Sequence, residues 1–347
     1  MSDRYDSVRH FRSTYEAARP AFAFADSDGD VAAWQFAFRP RLRAALGLDI
    51  MESALEGHTV RAERESSEDL GDLVRERWHV WTEPTVPLPC YLIRRKDAAG
   101  RLPVVLTPHG HNQPDIYAGV TRNDEEQRSM VEGERDIAVQ AAREGYLAVA
   151  PTTRGFGETR TEDDRENDAL SSCAIQLRHA LLVGRTPIGE RVWDMMRVID
   201  WVLQRDDVDG GRIAITGNSG GGTVSLWASA IEERITVAVP SCYFCTFVGS
   251  IGSIHHCPCN YVPGILQLGE MHDVAGLIAP RPFCAIAGKA DEIFPIDHVR
   301  TSFERLRAVY DAAGAGERCE LYVGDGGHRF YSAGAWPFVR KWFDAAG

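Results

Sequence analysis

The 347-residue sequence has no apolar run approaching the ~18 residues that read as a membrane span. Its opening stretch, MSDRYDSVRHFRSTYEAARP, has no apolar leader core. It is short of basic residues: 38 Lys and Arg stand against 50 Asp and Glu, a net charge of −12. That balance argues against nucleic-acid binding, which shows a basic footprint, and against attraction to anionic membranes. No internal repeat or low-complexity tract is present. Eight cysteines occur without a visible leader, so a cytoplasmic location with free thiols is expected, and Cys284 in RPFCAIAG reads as a small buried hydrophobe. With 44% hydrophobic and 25% charged residues, the chain can bury a large core without a disulfide or metal staple.

Residues 1–58 read as an N-terminal helical extension, with Gly47 as a helix C-cap. Residues 59–347 read as one catalytic domain. HTVRAERESSE, LVRERWHVWTE and LPCYLIRRK show the alternation of antiparallel strands. From residue 103 short apolar strands alternate with helical patterns, the grammar of a parallel sheet covered on both faces. Two stretches interrupt it, a polar, loop-rich one at 152–187 and a long one at 241–281. Both are expected as cap-like insertions above the C-terminal sheet edge, where open α/β sheets bind ligands.

The stretch IAITGNSGGGTVSLWA carries the chemistry. Gly217-Asn218-Ser219-Gly220-Gly221 has the G-x-S-x-G pattern between a strand and a helix, a nucleophile elbow. Small residues let the strand and helix approach, and the serine oxygen stands at the helix N-terminus, where N–H groups favour negative charge. The glycine positions do not fit a dinucleotide loop. A serine nucleophile needs a base held by a third group, in the chain order Ser, acid, His. Asp291 follows the strand FCAIAG, and His328 follows the strand CELYVG. Glu292 and Asp325 are the fallback acids. The oxyanion donors are assigned to the N–H groups of Gly220 and, in the loop HGHNQ, His111.

His109 and His111 lack a carboxylate ligand pattern, and the C-x-C of SIHHCPCN has no second pair, so no metal is expected and His255, His256, Cys257 and Cys259 read as packing of a lid. Arg154, Tyr243 and Tyr261 are candidate substrate contacts. For Arg154 a structural role, tying its loop to carboxylates, is the favoured reading, and core packing accounts for the aromatics equally well.

On HGHNQ, RGFGE, GRTPIGERVWDMMRVIDWV, GNSGGG, CPCNYVPGIL and IAPRPFCAIAGKADEIFP, the chain from about residue 60 resembles the α/β-hydrolase superfamily. More narrowly it is similar to acetyl xylan esterases and dienelactone hydrolase-related serine esterases. The resemblance implies an eight-stranded, mostly parallel sheet, cofactor-free ester hydrolysis and the triad Ser219, Asp291 and His328. It also supports His111 in the oxyanion loop. Those acetyl esterases often carry Gln after the serine, where this chain has Gly220. The expected activity is hydrolysis of short-chain, acetyl-type esters, including those of carbohydrates, with a small-molecule substrate as the partner and self-association left open. The alternatives are a lactone hydrolase and a peptidase of the prolyl-oligopeptidase type, whose N-terminal propeller has no room here.

Overall fold

The computed structural model describes residues 4–346, so the outermost residues of the two expected segments, 1–3 and 347, lie outside it. One sheet holds nine strands: β1 (Arg61–Asp69), β2 (Leu73–Glu83), β3 (Val86–Arg95), β4 (Leu102–Leu106), β5 (Leu147–Pro151), β6 (Val208–Asn218), β7 (Val237–Ser241), β8 (Phe283–Gly288) and β9 (Cys319–Gly324). Their order is β1-β2-β3-β5-β4-β6-β7-β8-β9. The first three strands and the β3–β5 pair are antiparallel; every later pairing is parallel. The resemblance implied eight strands. The ninth is explained by β1, a strand of RAERESSED that among the described residues pairs only with β2 and is exposed along almost its whole length. Its charges keep an open edge in water and discourage edge-to-edge pairing.

Period-two alternation divides the central strands between two cores. Val104 and Leu106 of β4, Leu147 and Val149 of β5, and Ile213 and Ile215 of β6 point into one cluster. Their neighbours Val105, Ala148 and Ala214 point into the other. Helices 31–46, 187–202, 220–231 and 296–312 contribute to the first cluster, and helices 137–143 and 332–344 to the second.

The N-terminal segment contains helices Ser7–Ala17, Val31–Leu46 and Leu48–Ala54. Trp34, Phe38, Leu42 and Leu46, on one face of the second of these, join the first core. Gln35 and Arg39 add hydrogen bonds to the carbonyls of Gly276, Ala279, Ala230 and Leu277. Gly47 ends this helix at φ 80°, the left-handed C-cap expected of it.

The stretch 152–187 is more ordered than its polar composition suggests, with helices Glu162–Glu166 and Cys173–Leu182. The stretch 241–281 contains short helices Ile265–Leu268 and Met271–Gly276.

Candidate active site

β6 ends at Asn218, and a helix begins at Gly220. Ser219 lies between them at φ 60° and ψ −117°. A non-glycine residue there stores about 1–3 kcal/mol of backbone strain. The surroundings hold it in place. Ser219 N–H donates to the Ser241 carbonyl at 2.9 Å, and the Ser219 carbonyl accepts from Thr223 N–H at 2.8 Å. The flanking glycines serve close approach: a Cβ on Gly217 would lie 2.3 Å from the Pro108 carbonyl oxygen, and one on Gly221 2.1 Å from it. The unusual dihedral falls on the serine itself, not on its glycines.

The loops after β8 and β9 are joined by backbone bonds, Lys289 N–H to the Gly324 carbonyl at 2.7 Å and Ala290 N–H to the Gly326 carbonyl at 2.9 Å. This brings Asp291 against His328, with Nδ1 to Oδ2 at 2.8 Å. The other oxygen of Asp291 accepts the N–H groups of Ile293 and Phe294 at 2.9 and 3.1 Å. Burial works to raise the Asp291 pKa, but the His328 contact and the two N–H donors outweigh it, and the carboxyl stands below its ordinary value. A carboxylate can only accept, so His328 Nδ1 is the donor in this hydrogen bond. The ring stacks on Phe294, with centroids 5.8 Å apart and planes 22° apart.

Phe294 and Ile293 line a cleft of about 390 Å³ together with Ser219, Gly220, His111, Thr223 and Asn260. Among the described residues the Ser219 hydroxyl has no hydrogen-bond partner; bonds between a nucleophile and its base commonly tighten only when substrate is bound.

As the first residue of its helix, Gly220 has an N–H with no intrahelical partner. The His111 N–H is likewise unpaired among the described residues. The His111 ring lies against Gly220: a Cβ there would be 2.8 Å from Nδ1 and 2.9 Å from Cε1. Glycine after the serine therefore leaves room for the neighbouring ring. His109 is buried, and its Nε2 accepts the Thr153 N–H at 2.9 Å. Burial pushes its pKa down to about 3, so it is neutral. Phe156 makes an edge contact with each of the two histidine rings.

Three candidate substrate contacts lie elsewhere. Arg154 is buried, with Nε and Nη2 on Asp194 at 2.8 and 2.7 Å and Nη1 on Glu83 at 2.5 Å. This is the structural role favoured from the sequence. Tyr243 is 0% exposed and accepts the Trp227 indole N–H at 2.9 Å, so it belongs to the core. Tyr261 is exposed, donates to the Ile251 carbonyl and lines a different groove, beside Phe11 and Thr14. Phe294, Ile293, Thr223, Asn260, Ser171 and Pro258 are the cleft residues that sequence reasoning missed, while His255, His256 and Cys257, read as packing of a lid, line the cleft as well. The adjacency of Ile293 and Phe294 to Asp291 was the available signal.

A second grouping was not foreseen. His111, Cys173, Cys257 and Cys259 converge so that one ligand atom of each lies within 4.8 Å of the others.

The nine-stranded, mostly parallel sheet and the strained serine between β6 and its helix make this an α/β-hydrolase fold. Within that class, residues 127–254, which include Ser219 and Gly220, match the family model for acetyl xylan esterase (AXE1). YtaP of Bacillus subtilis, provisionally named a hydrolase, is 26% identical over 266 residues, 73% of this chain and 83% of the relative. A Salmonella typhimurium protein provisionally named a carboxymethylenebutenolidase is 26% identical over 270 residues, 74% of this chain and 82% of the relative. The crystal structure of a protein of Bacteroides fragilis, provisionally an acetyl xylan esterase, superposes with a TM-score of 0.75 at 16% identity, covering 92% of this chain and 82% of the other.

Proposed function

We propose that the chain is a serine carboxylic-ester hydrolase acting on short, acetyl-type esters, including those of carbohydrates, through Ser219, His328 and Asp291. The observation that carries this reading is a strained, half-buried Ser219 sharing a cleft with Phe294, on which the Asp291-bound ring of His328 stacks. His328 Nε2 takes the hydroxyl proton as Ser219 attacks the ester carbonyl. Asp291 stabilises the imidazolium that forms. The tetrahedral oxyanion is held by the N–H groups of Gly220 and His111, each worth about 3 kcal/mol of barrier. His328 then returns the proton to the departing alkoxide, and water, activated by the same base, releases the acid. A cleft walled by Phe294, Ile293 and the His111 ring suits a small acyl group.

The name of the Salmonella relative denotes opening of a butenolide, and this favours a second reading as a lactone hydrolase. A panel of acetylated sugars, aryl acetates and lactones, compared by kcat/KM, separates the two. Acetyl esters are expected to lead, and Ser219→Ala to lower kcat/KM by about 10⁴-fold or more. Undiminished turnover by that variant would refute both readings.

A further inference from the structure

We propose that His111, Cys173, Cys257 and Cys259 form a tetrahedral zinc site that fastens the oxyanion loop to the turn at 257–259. The four residues come from the HGHNQ loop, the start of helix Cys173–Leu182 and the turn at 257–259. His111 Nε2 lies 3.3 Å from Cys259 Sγ, and Cys259 Sγ lies 3.2 Å from Cys257 Sγ. A tetrahedron built from Zn–S bonds near 2.3 Å and a Zn–N bond near 2.0 Å has edges of about 3.5–3.8 Å. That is within the 4.8 Å span the four atoms already share. Three thiols and an imidazole are a soft donor set that suits zinc.

A second, independent observation concerns charge. Arg191 is 2% exposed, and among the described residues its guanidinium has no carboxylate partner. One Nη2 donates to the Arg154 carbonyl at 2.8 Å, to Cys173 Sγ at 3.3 Å and to Gln176 at 3.4 Å, while Nε has no partner. A buried cation calls for a buried anion. Zinc with three thiolates and a neutral imidazole carries one net negative charge, which balances Arg191. Binding releases the thiol protons to solvent and changes no oxidation state.

Four protein ligands close the coordination shell, so the metal has a structural task. With Nε2 engaged by the metal, the ring of His111 is held against Gly220. Ester hydrolysis needs no metal step, and the zinc proposal stands or falls separately from that reading.

The test is elemental analysis of the full-length chain, purified without chelator and loaded with zinc. About one tightly held zinc per chain is expected, retained in Ser219→Ala and lost in Cys173→Ser and Cys257→Ser. Cobalt exchanged into the wild-type chain gives a folding-independent check, through thiolate-to-cobalt charge transfer and the ligand-field bands of a tetrahedral site. Sub-stoichiometric zinc in the loaded wild type, octahedral cobalt bands, or a disulfide among the three cysteines in the peptide map would each overturn the proposal.

Discussion

Gly220 lies where two demands meet. In the proposed mechanism it presents its N–H to the reacting oxygen, and it also has to leave room for the His111 ring. Gly220→Ala places a methyl 2.8 Å from His111 Nδ1, so the ring and its loop must shift. The expected outcome is a fall in kcat/KM for an aryl acetate of about 10- to 100-fold, within the worth of one oxyanion donor. An unchanged kcat/KM would show that the 220–111 contact is idle. Gly221→Ala is a different case, because its methyl meets backbone, the Pro108 carbonyl oxygen at 2.1 Å. Soluble expression itself is expected to suffer there. At this scale the candidate triad was legible because each member follows a strand and the chain order is constrained by the elbow pattern. The four-residue thiol and imidazole cluster was not. Its members are brought together only by tertiary structure, and C-x-C spacing alone carries no such message. Tyr243 stayed open between cleft and core for a related reason: an aromatic just after a strand looks the same in sequence whichever it faces, and the structure places it in the core.

Among the elements, the loop after β5 is fastened by charge. Arg154 joins Asp194, which is fully buried on helix 187–202, and Glu83 at the end of β2. Thr82 adds a hydroxyl bond to Asp194 at 2.6 Å. Arg154→Met leaves that carboxylate buried and unpaired, at a cost of about 3–5 kcal/mol. Chemical denaturation should show this loss, with much of it recovered in the double variant Arg154→Met/Asp194→Leu. A single variant as stable as the wild type would mean that the ion pair carries no net weight. The strands were legible because alternation and apolar runs survive in the sequence. Helices Asp124–Glu132 and Cys173–Leu182 were not. The first buries none of its residues and the second only Cys173 and Ala180, with Leu181 and Leu182 exposed, so neither carries an apolar stripe.

For the molecule as a whole, the two cores sandwich the sheet and leave its C-terminal edge to carry the cleft. Acid should loosen this arrangement through neutral, buried histidines. Burial lowers the pKa of His109 to about 3 and, helped by repulsion from nearby histidines, that of His256 to about 4, from an ordinary 6.5. Below 6.5 the unfolded chain therefore binds more protons than the folded one. Stability falls as pH drops from 6.5 toward 4, at up to about 1.4 kcal/mol per pH unit for each histidine. Denaturation midpoints measured between pH 7.5 and 4.5 should decline accordingly, and His109→Gln should flatten the slope. A slope identical in that variant would assign the acid sensitivity elsewhere.

Covalent capture of the serine tests the central claim most directly. The wild-type chain is treated with a fluorophosphonate probe, digested and mapped by mass spectrometry. A single adduct is expected on the peptide bearing Ser219, abolished in Ser219→Ala and slowed strongly in His328→Ala. An unlabelled wild-type chain, or an adduct on another residue that persists in Ser219→Ala, would contradict the account.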